Sequence, residues 1–205
     1  MPKQHFFEYG EREILWLESR DPVLGREIYK RGHIYRRVIP DLFTALLNSI
    51  SGQQISAKAH ETVWKRIEER FKPLRPETIN SISADELRAC GMSMRKASYI
   101  KGAAELILNG ELNMAALKKL SDDDVCKTLC KINGIGIWTA EMLMIFSLQR
   151  MDILSWGDLA IKRGLSVLYR HREITPRLFE KYRRLYSPYA SVASLYLWEI
   201  SREKS

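Results

Sequence analysis

Apolar residues recur at helical spacing along most of the chain, and strict alternation never extends beyond a few residues. That pattern restricts the fold to packed helices. Residues 41–51 follow Pro40, a helix-start signal, and place Leu42, Leu46, Leu47 and Ile50 on one face. Ser56 opens a second helix with Ala59, Val63, Ile67 and Phe71 on one stripe. It stops before Pro73 and Pro76, which mark the clearest internal boundary. The pattern continues over 93–108, 121–131, 137–149, 158–170, 176–186 and 189–203. Ser83, Ser93, Ser121 and Asp158 stand at cap positions, and Thr175-Pro176 and Ser187-Pro188 resemble a cap followed by a first turn. The short β-rich pieces His33–Ile39 and Asp152–Trp156 are connectors. The expected class is all-α, with about ten to twelve helices and short loops.

A chain of 205 residues, 45% hydrophobic and 28% charged, buries enough surface to fold without a metal or disulfide and is not a disordered chain. No apolar run is long enough for a membrane span, and Met1–Arg12 carries Glu8 and Glu11 without the apolar core of a secretory signal. Three cysteines do not make a disulfide framework, so a reducing, cytoplasmic setting is expected. Lys and Arg exceed Asp and Glu by 33 to 25, giving a net charge of +8. That balance suits a polyanionic partner, nucleic acid before an anionic membrane surface; charge alone also fits a plain solvated surface.

The sharpest local signal is the run from Leu129 to Ala140, Leu-Cys-Lys-Ile-Asn-Gly-Ile-Gly-Ile-Trp-Thr-Ala. One helix ends near Ile132 and another begins near Gly136, with Gly134 and Gly136 flanking Ile135. Glycines let a foreign backbone come close, and Ile135 can plug the turn into the core. The amides opening the second helix then face outward at the positive end of its dipole, where they suit a phosphate. An ordinary helix–helix turn fits the same residues.

Twenty-two residues beyond Gly136 comes Trp156-Gly157-Asp158-Leu159, with Asp158 at a helix start. Read alone, Asp158 is an N-cap. Hairpin, helix, extended connector and aspartate together resemble the helix-hairpin-helix DNA glycosylase superfamily. Upstream, Ser49-Ile50-Ser51-Gly52-Gln53-Gln54-Ile55-Ser56 resembles its Gln-rich helix–loop–helix junction, and the likeness runs to the helix ending near Trp198. The chain is most similar to the 3-methyladenine DNA glycosylase II branch. Bifunctional members carry a lysine directly before the Thr-Ala of the hairpin helix, where this chain has Trp138. Iron–sulfur members carry four C-terminal cysteines, whereas here the last is Cys130.

The resemblance implies a minimal core of two helical subdomains with the active site in a cleft between them. One subdomain comes from both chain ends, roughly 1–40 and 150–205; the other is roughly 41–149 and contains the hairpin 129–140. It implies a monomeric monofunctional glycosylase that hydrolyses the N-glycosidic bond of alkylated purines in damaged double-stranded DNA, with the base flipped out of the stack. Asp158 would stabilise the positive charge that builds on the sugar and orient water. Trp138, Met142 and Trp198 would form the base pocket, an indole face suiting an electron-poor or cationic base. Gln54 would fill the gap left by the flipped base, and Gln53 would contact bases or cap its helix. Gly134, Gly136, Ile137, Thr139 and Lys162 would face the DNA backbone. No cofactor and no iron–sulfur cluster is required; the backbone carbonyls of Cys130, Ile132 and Ile135 would suit a structural monovalent cation.

The remaining clusters carry less. Cys126 and Cys130 are four residues apart without a nearby histidine, so they do not make a zinc site. Gly91–Ala97, with Arg95 and Lys96, is a second phosphate contact or a solvated turn. Two other functions share these motifs: excision of oxidised or deaminated bases, and a non-catalytic DNA-binding module, against which Asp158 argues.

Overall fold

The computed structural model describes residues 4–203. Residues 1–3, part of the terminal stretch read above for a secretory signal, lie outside them. Among the described residues are thirteen helices and one two-stranded sheet, and no helix is long and apolar enough to cross a membrane. The chain divides into two compact units, Met1–Val38 with Gln149–Ser205, and Ile39–Leu148.

The first unit begins with β1 (His5–Phe6), α1 (Glu11–Arg20), α2 (Pro22–Arg31) and β2 (Arg37–Val38). The sequence pattern places no helix here, although Asp21-Pro22 is a sound start signal. Asp21 caps α2, its Oδ1 accepting the amides of Val23 and Leu24 at 3.0 and 3.2 Å. The stretch His33–Ile39 is not only a connector: Arg37 and Val38 pair antiparallel with Phe6 and His5.

The second unit holds α3 (Leu42–Gly52), α4 (Ala57–Phe71), α5 (Pro76–Ser81), α6 (Ala84–Arg88), α7 (Met94–Leu108), α8 (Met114–Leu117), α9 (Asp122–Leu129) and α10 (Ile137–Phe146). α3 buries Leu42, Leu46, Leu47 and Ile50 and packs on α4, α7 and α10. The α4 stripe starts at Val63, since Ala59 lies in the exposed first turn. Pro73 and Pro76 join α4 to α5 inside this unit and mark no boundary. Lys101 closes the end of α5 by donating to the carbonyls of Asn80 and Ile82 at 2.7 Å, a cation satisfying last-turn acceptors.

The chain returns to the first unit with α11 (Leu159–Tyr169), α12 (Pro176–Tyr186) and α13 (Ala190–Ile200). Ser187-Pro188 does not open α13. Ser187 ends α12, and its hydroxyl donates to Asp152 Oδ2 at 2.5 Å. α13 is buried on every side from Ala190 to Trp198. Its two inner serines are satisfied by the connector before α11: Ser191 Oγ donates to the Arg150 carbonyl at 2.6 Å and accepts from Ile153 N at 2.9 Å, and Ser194 Oγ donates to the Ile153 carbonyl at 3.2 Å. The extended run before α11 is thus fastened along α13.

Gly164 sets the distance between α11 and α13. A Cβ there would lie 2.3 Å from the carbonyl oxygen of Leu197. Gly164→Ala should therefore destabilise the protein by about 2 kcal/mol or more, a fall of several degrees in thermal midpoint. Gly102 in α7 is the comparison, since nothing lies within 4 Å of its added carbon. Gly102→Ala should gain about 0.5–1 kcal/mol. Thermal unfolding of the two variants checks both signs.

Candidate functional site

In the first unit the site centres on Asp158. Its Oδ1 accepts the amides of Ala160 at 2.8 Å and Ile161 at 3.0 Å, capping α11. Its Oδ2 accepts the indole N–H of Trp198 at 3.2 Å. The carboxylate is 7% exposed and fixed on both oxygens. Trp198, expected as a pocket wall, is itself buried; its indole holds Asp158, and the Arg36 guanidinium lies 5.9 Å from its ring centre. The residues around the carboxylate are open: Trp156 is 42% and Leu159 71% exposed. Lys162, one turn beyond Asp158, sets its Nζ 4.5 Å over the face of Trp156, whose edge meets Phe179 at 5.1 Å.

In the second unit the hairpin has the expected form. Cys130 ends α9, and Ile132 and Ile135 are buried, with the Ile135 amide donating to the Ile132 carbonyl at 3.0 Å. Its two glycines do different work. Gly134 has φ +86°, and a Cβ on it would lie 2.3 Å from Cδ2 of Tyr99. Gly136 has φ −91° with nothing within 4 Å of an added carbon, so the fold itself does not demand a glycine there. As N-cap of α10 it also supplies no side-chain cap, leaving the amide end of the helix dipole facing outward. Beyond it Ile137 is 65% and Trp138 48% exposed, Met142 is half-buried one turn on, and Thr139, expected to face the DNA backbone, is buried.

The Gln-rich junction is tied to this hairpin. Gln53 ends α3, and its side-chain amide donates to the Gly134 carbonyl at 2.8 Å. Gln54 beside it is exposed with φ +56°, a left-handed conformation uncommon for glutamine. Lys96 supports the same turn through the Ser51 carbonyl at 2.9 Å, and Ser51 Oγ lies 3.3 Å from His60 Nε2. Burial pushes the Lys96 ammonium pKa down, and nearby Arg95 adds to this.

Sequence reasoning passed over Tyr99 and Trp156. Tyr99 has no local signal, since it meets Gly134 only through the fold. Trp156 stands two residues before Asp158, and that proximity is the signal the sequence carries for it. Among the described residues no group of three His, Cys, Asp or Glu could hold a metal. Burial first, and then Cys130, push the Cys126 thiol up to about 11, away from nucleophilic use.

Residues 47–188 match the HhH-GPD superfamily base excision DNA repair protein family; that span holds Gln53, Gln54, the hairpin and Asp158. DNA-3-methyladenine glycosylase 1 of Schizosaccharomyces pombe is 32% identical over 169 residues, covering 78% of this chain and 72% of that protein. The crystal structure of a DNA-3-methyladenine glycosidase from Bacillus halodurans is similar with a TM-score of 0.86 and 34% identity, over 97% of this chain and 93% of that one. The Schizosaccharomyces pombe 3-methyladenine DNA glycosylase Mag1 in complex with abasic DNA gives a TM-score of 0.78 and 28% identity, over 92% and 96%.

The unequal glycines give a stability test. Gly134→Ala should lose about 2–3 kcal/mol from the clash with Tyr99 and the left-handed backbone. Gly136→Ser adds a favoured N-cap in open space and should hold stability or gain up to about 1 kcal/mol. Equal losses in denaturant titrations would contradict this division.

Proposed function

The chain belongs to the HhH-GPD superfamily of base excision DNA repair proteins, and on that premise we propose that it is a monofunctional glycosylase hydrolysing the N-glycosidic bond of alkylated purines in duplex DNA. The substrate class is that of the 3-methyladenine relatives. The observation that carries the chemistry is the Asp158 carboxylate, held by three donors beside an open surface.

As the glycosidic bond lengthens, positive charge grows on the deoxyribose. A carboxylate already fixed in place stabilises that charge without reorganising, and it can orient the attacking water. Trp198 is a positioning residue in this scheme: its N–H keeps Oδ2 in line while the helix amides keep Oδ1. The exposed indole of Trp138 receives the flipped base, and an alkylated, electron-poor ring stacks on it more strongly than a normal one. Met142 completes that face of α10.

The hairpin grips phosphate with the first amides of α10, which contact the backbone and carry no sequence preference. The open space at Gly136 supports this reading, because a side chain there would meet only an approaching ligand. Gln54 fills the stack at the vacated position, and Gln53 holds its loop to the hairpin. The carbonyls of Cys130, Ile132 and Ile135 would hold a monovalent cation; Ile132 already accepts one amide and keeps a second lone pair. Such an ion adds positive charge beside the gripped phosphate. Lys162 exchanges its place on Trp156 for a phosphate. The protein acts as an intracellular monomer.

Asp158→Asn keeps the cap, since asparagine also caps helices, but turns an amide N–H or a weaker acceptor toward Trp198. Excision should fall by about 10²–10⁴-fold, while duplex binding persists. The assay is alkali-induced nicking of duplexes carrying 7-methylguanine, 3-methyladenine analogues, ethenoadenine, hypoxanthine or 8-oxoguanine. Near-wild-type excision by the variant would remove Asp158 from the reaction, and preference for 8-oxoguanine would refute the substrate class.

Borohydride added during turnover should trap no protein–DNA adduct, because Trp138 stands where a lyase needs a lysine amine. An adduct lost in Lys131→Ala or Lys162→Ala would overturn the monofunctional assignment. Gly136→Ser should weaken duplex binding despite its intact stability, as anisotropy with undamaged duplex will read.

A further inference from the structure

One face of α12 is committed to the core through Phe179, Tyr182 and Tyr186. The other presents Arg177, Lys181 and Arg184, all exposed, with Leu178 and Leu185 half-buried beside them. With Arg20 from the last turn of α1, these side chains line an open cavity of about 880 Å³. Glu180 is the one carboxylate in that lining. It is already engaged by Arg183 at 2.8 and 3.0 Å and by Arg184 Nε at 2.9 Å. Among the described residues no carboxylate pairs with Arg20, Arg177 or Lys181. The groove is thus cationic at its rim and apolar in its floor, and the hairpin glycines lie in the other unit.

We propose that this groove is a second binding track for the sugar–phosphate backbone of duplex DNA, engaged irrespective of sequence or damage. The proposal rests on the reading that the protein works on duplex DNA. Arg177, Lys181 and Arg184 are four and three residues apart, so their rows along α12 are separated by about 6 Å and 4.5 Å. Their total span of about 10 Å matches the axial rise of about three nucleotides of one strand. Phosphates meet the cations, and the apolar faces of the deoxyriboses between them meet Leu178 and Leu185. An acidic peptide would supply charge, but it would have to be ordered to present it; a duplex presents its charges already spaced. Such a track holds undamaged DNA by counterion release while the lesion site is sought.

The test compares the wild type with Arg177→Gln/Lys181→Gln/Arg184→Gln and with a charge-matched control, Lys65→Gln/Lys72→Gln/Arg88→Gln. All six side chains are exposed, and thermal unfolding checks that each variant folds. The probe is a fluorescein-labelled undamaged duplex titrated across a salt series. The groove variant should lower the slope of log K against log salt by about 2–3, since each phosphate that is no longer neutralised removes about 0.9. The control should change it by less than about 1. Arg20→Gln, on α1, should by itself lower the slope by about 0.9. Equal slopes in groove and control variants would overturn the proposal. So would unchanged duplex binding by the groove variant together with binding of a synthetic Glu/Leu peptide that the variant loses, since the groove would then be a peptide site. Absence of excision by the wild type would sink the glycosylase reading, yet the slopes would still decide the groove.

Discussion

At Gly164 a single added carbon would lie 2.3 Å from the carbonyl oxygen of Leu197, so α11 and α13 pack with their backbones in contact. That approach is what lets the indole N–H of Trp198 reach Oδ2 of Asp158. The connector is anchored from the other side, through Ser191 and Ser194. Asp158 is therefore positioned by a helix start, a helix flank and a fastened strand of chain. Rigid elements hold a reacting group more tightly than a loop does.

In the proposed function the second unit has a different task, which is to present backbone rather than a side chain. Its hairpin is packed beneath and bare above. Tyr99 fills the space under Gly134, and Ile132 and Ile135 anchor the turn. Gly136 leaves the end of α10 uncovered. The Gln53–Gly134 hydrogen bond joins this hairpin to the loop that exposes Gln54. The hairpin and the Gln54 loop are thereby tied to each other within the unit.

The helical class was legible because its signals are local. Caps at Ser56, Ser83, Ser93, Ser121 and Thr175 all accept from their first turns, as sequence alone suggested. The hairpin turn and the cap at Asp158 were visible for the same reason, whereas a reacting role for Asp158 came only from the family resemblance. Contacts between distant segments were not: Tyr99 under Gly134 and Gly164 against Leu197 carry no sequence pattern. Ser187-Pro188 misled because Asp152, a distant partner, takes the serine hydroxyl. Of the early helices the sequence reading did not place, α1 buries only Leu17 and shows little periodicity, whereas α2 buries Leu24, Gly25 and Ile28, as many residues as the legible α4.

Capping geometry alone does not single out Asp158 for the role proposed for it, and Asp21 shows why. Both residues cap a helix in the first unit through Oδ1, accepting two amides within 3.2 Å. Both carry a third donor on Oδ2, Tyr169 for Asp21 and Trp198 for Asp158. Their difference lies in what surrounds them. Tyr169 also bonds the fully buried Tyr186 at 2.6 Å, and burial pushes both phenol pKa values upward, so Asp21 sits behind aromatic rings that remain neutral donors. Asp158 instead follows an exposed Gly157 and precedes an exposed Leu159. The arrangement that lies within the core at Asp21 is flanked at Asp158 by exposed residues on either side. In the proposed reaction, a carboxylate held this firmly would not rotate to follow a sugar as it changes, so the sugar would have to be brought to it. On that proposal the work of binding and distortion falls to the elements proposed to grip DNA, with Asp158 as the fixed group.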